Sequence, residues 1–167
     1  MTADALIQTL TAQEERVRRA HLRVTSLVLA VCAAAYLGAV AFLAEDLPGR
    51  VAVHYGVDGR PDGWLDLGVA LVSFGLLALG LPALLLVVFA AGQWWRGTSA
   101  RPTSALVAGL AAGLSTLFVH LLWSQRGLAE TADVRLSAWT LLWPLVAALA
   151  AGVLTAAVLP PALPQPE

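Results

Sequence analysis

Four windows free of Asp, Glu, Lys and Arg, at residues 24–44, 67–92, 104–123 and 138–159, constrain this chain more than any other feature. The first holds about 21 residues, which at a helical rise of 1.5 Å reach about 31 Å, the thickness of a bilayer's hydrocarbon core. A soluble domain of this length spreads charges along its helices to keep one face in water. Here only 13% of the residues are charged and 59% are hydrophobic, against roughly a quarter charged in an ordinary soluble domain. The windows therefore predict four membrane spans in one domain, with an irregularity in the second at Pro82, which lacks a backbone donor.

Between the spans lie a polar leader (1–21), loops at 45–66, 93–103 and 124–137, and a proline-rich tail (160–167). In the leader, Leu6, Ile7, Leu10 and Val17 recur at helical spacing behind Thr2 or Asp4 as N-cap, which predicts a short amphipathic helix. The plain reading is a solvated extension whose arginines set orientation, and the functional one is a partner-docking or lipid-surface helix. Its acidic residues and the length of the following apolar run argue that it is retained and not a signal peptide.

Four spans put both termini on one face. The leader and the 93–103 loop carry Arg16, Arg18, Arg19, Arg23, Arg96 and Arg101, whereas the other two loops carry Arg50, Arg60, Arg126 and Arg135 together with seven acidic residues. The positive-inside rule then makes the termini cytoplasmic and the 45–66 loop outward. The expected fold is an all-α, four-transmembrane-helix bundle with an ordered outward loop between helices 1 and 2, multi-pass in a bacterial cytoplasmic (inner) membrane. Trp94 and Trp95 at the inner edge, and Trp64, Trp123, Trp139 and Trp143 near the outer one, read as interfacial anchors.

Several functions are excluded or left without support. The chain has no lysine and a net charge of −1, so no basic stripe exists to neutralise phosphates and nucleic acid is not an expected partner. The single cysteine, Cys32, excludes an intramolecular disulfide and a cysteine metal site. No serine elbow, phosphate-binding glycine loop or His-Glu-x-x-His pair is present, so no catalytic residues, cofactor or metal are assigned and an enzyme is not expected.

Three features remain. The loop from Leu47 to Trp64 has alternation at Val51, Val53 and Tyr55 that suits an extended piece, followed by two tight turns at 57–59 and 60–63. About 22 residues is long for a structureless connection, which predicts an ordered loop. His54, Asp58, Asp62 and Asp66 form a candidate polar site there, although their spacing matches no metal pattern and turn capping explains the aspartates more simply. His120 is a candidate because it is an ionisable group within the third span, about one turn from its end. Gly109 and Gly113, with Ala148, Gly152 and Ala156, form small-residue stripes that predict close packing of helices inside the bundle, the alternative being association with another membrane protein.

The loop motifs Leu47-Pro48, Val51-Ala52-Val53-His54 and Gly59-Arg60-Pro61-Asp62-Gly63-Trp64 resemble the outward loop of a bacterial membrane module, the domain of unknown function 1648. That module also forms the first half of SdpI-type immunity proteins, which protect cells from a secreted toxic peptide and signal by recruiting a repressor. The resemblance marks Leu47, Pro48, His54, Gly59, Pro61, Asp62 and Gly63. Ala52 stands where the module commonly has proline, and the second half of the SdpI-like proteins does not follow the four spans. It implies an immunity, signalling or accessory binding subunit whose partners, besides the bilayer, are a peptide, a regulator or a membrane protein. A small transporter or ion-handling subunit is the alternative, and a metal-assisted membrane hydrolase the third reading.

Overall fold

The structure is a computed structural model that describes residues 3–129 and 131–161, with side chains from residue 11 onward except at position 138. Thr2, expected as an N-cap, the side chains of Leu6, Ile7 and Leu10, the residue Glu130 and the tail beyond residue 161 lie outside what it describes, whereas Asp4, the other expected N-cap, falls inside the first helix, which already includes Ala3. Four helices are long and apolar enough to cross a membrane. We number them α1 (Ala3–Leu43), α2 (Leu67–Ala91), α3 (Ala100–Trp123) and α4 (Ala138–Val158). Between α1 and α2 the chain forms two strands, β1 (Arg50–Tyr55) and β2 (Pro61–Asp66), so the fold is mostly helical and not all-α.

Helix α3 is the centre of the bundle, with half of its most apolar window buried, whereas the other three turn most of their surface outward. Against it α4 packs most extensively, because glycines remove the side chains that would hold the backbones apart. A Cβ on Gly109 would sit 2.9 Å from the Ala148 carbonyl oxygen, and one on Gly152 would sit 3.2 Å from that of Ala105. The small-residue stripes thus pack α3 on α4 within this chain. In α2 the irregularity expected at Pro82 is a π turn over Leu76–Gly80, in which the Leu81 N–H reaches the Leu76 carbonyl. The widened turn makes room where the proline ring would otherwise meet the preceding carbonyls.

Leader and first span form a single helix, and the part of the leader nearest the span packs against the protein. Its Val17 is buried against Trp94 and Trp95, which are only 7% exposed and are therefore protein-packed, not lipid-facing anchors as their position in the sequence suggests. One turn further on, fully buried His21 joins α1 to three other segments. Trp94 Nε1–H can only donate, and it donates to Ser104 Oγ at 2.9 Å. The serine proton is then free for His21 Nδ1, also at 2.9 Å, which leaves Nε2–H to face the Pro160 carbonyl at 3.3 Å. This chain of bonds fixes one neutral tautomer by inference from its partners. Replacing Ser104 by alanine orphans the buried indole N–H and one imidazole nitrogen. The expected cost is about 2 kcal/mol, read as a lowered unfolding midpoint in detergent or nanodiscs.

Candidate functional site: a clamped hairpin cap

At the end of the bundle away from the termini, β1 and β2 pair antiparallel in the register Arg50 with Asp66, Val51 with Leu65, Ala52 with Trp64, His54 with Gly63 and Tyr55 with Pro61. The side chains of a strand alternate between faces, and this ribbon follows the alternation in part, with Ala52 buried beside Val51 and the register slipping on either side of His54. Val51, Val53 and Tyr55 point into the bundle, where Val53 and Tyr55 meet the cluster of Tyr36, Leu43, Leu47, Phe74, Phe118 and Leu122. Arg50, His54, Asp62, Trp64 and Asp66 are exposed. Pro61 opens β2 where its missing donor is tolerated, so 61–63 is strand and the second tight turn predicted over 60–63 does not form. Gly63 is needed for closeness, since a Cβ there would lie 2.9 Å from that of His54.

Three clamps hold the cap down. The first is Gln125, just past the end of α3 and fully buried: the Ala52 N–H donates to its Oε1 at 2.6 Å, and its Nε2 donates to the Ala52 carbonyl at 3.0 Å. The side-chain amide thus stands in for a third strand beside β1. The second is the hairpin tip, where Asp58 Oδ1 accepts the Arg60 N–H and Gly59 adopts φ +75°. The Gly59 carbonyl receives the Leu136 N–H at 3.0 Å, and a Cβ on Gly59 would be 2.8 Å from the Leu136 oxygen. Gly59→Ala combines a left-handed backbone with that overlap, and should lower stability by about 2 kcal/mol and speed amide exchange at Leu136. The third clamp is Arg126, paired with Asp46 at 2.6 Å and lying over the rings of Phe42 and Trp123.

The residues marked by the sequence therefore separate into framework and surface. Leu47 is core, Pro48 leads into β1, and Gly59, Pro61 and Gly63 set backbone geometry. His54 Nδ1 bonds to Asp62 Oδ1, Asp66 lies 3.8 Å from Arg50, and Asp58 lies 3.5 Å from Arg60. The four polar candidates thus divide among separate pairs, and among the described residues no three His, Cys, Asp or Glu side chains gather to hold a metal. Exposed pairs of this kind contribute little stability.

His120 is remote from the cap ribbon. With Cys32, Tyr36, Ser115, Thr116 and Trp123 it lines a groove of about 490 Å³ between α1 and α3. Tyr55 is distinct again: its buried hydroxyl has no partner, and burial raises its pKa to about 12. Because the neutral phenol is the buried form, the stability it contributes is complete below about pH 10 and is lost as pH climbs to about 12. In a Tyr36→Phe protein, phenolate absorbance should accordingly rise only toward the upper value.

Gln125, His21 and Ser104 were not singled out by the sequence. Each is an ordinary polar residue in a loop or near a span end, and only its burial makes it matter.

Four helices long and apolar enough to cross a membrane, joined between the first two by a paired hairpin, give the fold of a multi-pass membrane protein. Residues 30–86 match the model of a family described as a domain of unknown function, DUF1648. The match runs from the middle of α1 through both strands into α2, and so includes the whole hairpin. No curated protein and no solved structure matches the chain.

Proposed function

We propose that this chain is a binding subunit of a bacterial cytoplasmic membrane, with the hairpin facing outward as its recognition surface and the termini in the cytoplasm. It serves immunity, signalling or an accessory role, as the resemblance to the SdpI-related module implies. The observation that carries this reading is the division of the hairpin into a buried, triply clamped inner face and a polar outer face. A surface held rigid in this way loses little entropy on binding. The distribution of arginines supports the orientation.

The test uses a photo-reactive residue in place of Val57, a fully exposed position at the hairpin tip, in intact cells. A specific cross-linked partner is expected, and its absence in all growth conditions would end the reading. A lone cysteine at Val57 in a Cys32→Ala background should label with an impermeant maleimide from outside; labelling only in inverted vesicles would reverse the orientation. The transporter alternative draws on the groove at His120, and unimpaired flux in His120→Ala with Asp62→Ala would dismiss it. A hydrolase would need a third ligand beside His54 and Asp62, and metal-free purified protein would dispose of it.

A further inference from the structure

The two edges of the ribbon differ. Gln125 occupies both main-chain groups of Ala52, so these point away from β2 and the Ala52–Trp64 pair is of the type not bonded across the ladder. The N–H and C=O of Trp64 must then point out of the opposite edge. Asp62 and Asp66 expose their side chains with Trp64, although the register slips at His54 and leaves Asp62 without a cross-strand partner. Strand β2 packs on β1 and on the start of α2, whose first turn takes the carbonyl of its N-cap Asp66, and among the described residues no group from elsewhere bonds to the N–H or C=O of Trp64. One edge is closed by a glutamine and the other is open.

An unpaired N–H and C=O of one residue on a strand edge are complementary to an extended polypeptide backbone. Charge decides which polypeptide. A second copy pairing antiparallel about Trp64 would set Asp62 of each chain opposite Asp66 of the other, and like charges directly opposite destabilise a sheet. The Arg50–Asp66 and His54–Asp62 pairs are largely exposed and leave carboxylate oxygens for further cations.

Resting on the reading of the hairpin as a recognition surface, we propose that the free edge of β2 takes up an extended cationic segment of another polypeptide as a third strand. Basic residues of that segment stand opposite Asp62 and Asp66, and an aliphatic or aromatic residue stands opposite Trp64.

The probe is the fluorescently tagged peptide acetyl-Arg-Thr-Val-Thr-Arg-amide, titrated against the full chain in nanodiscs. Its arginines and valine fall on the Trp64 face, and the valine N–H points at β2. Methylating that nitrogen should weaken binding by at least about tenfold, whereas methylating a threonine nitrogen, which points away, should change it by less than about twofold. Trp64→Pro removes the edge donor without touching a ladder bond and should match the first loss, while Trp64→Ala retains the donor and should bind more tightly than Trp64→Pro. Exchanging the arginines for glutamates should abolish binding. Binding indifferent to the position of methylation would overturn the proposal without depending on the folding of any variant, as would no binding of the arginine peptide. If cross-linking at Val57 still captures a partner in that case, the recognition surface stands and only strand addition falls.

Discussion

Replacing Gln125 by leucine is expected to lower stability by about 4 kcal/mol, because it leaves the N–H and the C=O of Ala52 buried without partners and each such orphan costs about 1–3 kcal/mol. Leucine nearly keeps the volume, so loss of packing is a minor part of the effect. Ala52 is fully buried and Val51 beside it equally so, which leaves water no direct route to replace the amide. The measurement is hydrogen exchange at Ala52 together with the unfolding midpoint, and Ala52 should become one of the faster-exchanging amides of β1. Gln125→Glu separates the two bonds, since a carboxylate still accepts from the Ala52 N–H but cannot donate to its carbonyl. Unchanged exchange at Ala52 in Gln125→Leu would show that the cap is held by other means. The same geometry gives Ala52 a reason: the proline common at this place in the module that the loop resembles would have no N–H to offer Gln125.

The second large effect is expected from Gly109→Leu. A Cβ at this position already falls 2.9 Å from the Ala148 carbonyl oxygen, and neither backbone can yield without parting α3 from α4 along their length. Overpacking of this kind costs about 3 kcal/mol, and in a membrane it also forfeits the dispersion contacts that hold helices together. Unfolding in mixed micelles should show the loss, and a disulfide engineered between α3 and α4 should form less readily. Gly38→Leu is the control, because a Cβ there meets nothing within 4 Å. Equal effects of the two substitutions would remove the close approach as the explanation.

Much of the architecture was legible because lipid imposes a simple rule: a window with no charge and enough residues to cross must be a helix that satisfies its own backbone. The ends of the four windows were therefore recovered to within four residues, except the start of the first, where α1 begins at Ala3 and takes in the leader. Helical spacing in the leader was also readable, as were the small-residue stripes at Gly109 and Ala148. Less was legible at the cap. Asp-Gly and Pro-Asp-Gly both spell turns locally, but only the first is one, because Gly63 serves a close cross-strand contact that depends on which residue lies opposite.

What the sequence determined by itself is which segments are helices long and apolar enough to cross a membrane, since apolar length is a property of the chain and needs no partner to be read. What only the tertiary structure decided is which polar groups are obliged to bond. Trp94 and Trp95 have the sequence position of lipid anchors and are instead buried under α1. Gln125 has no sequence distinction, yet it closes one edge of the hairpin and leaves the other open, because the desolvation of a backbone amide depends on what surrounds it in space.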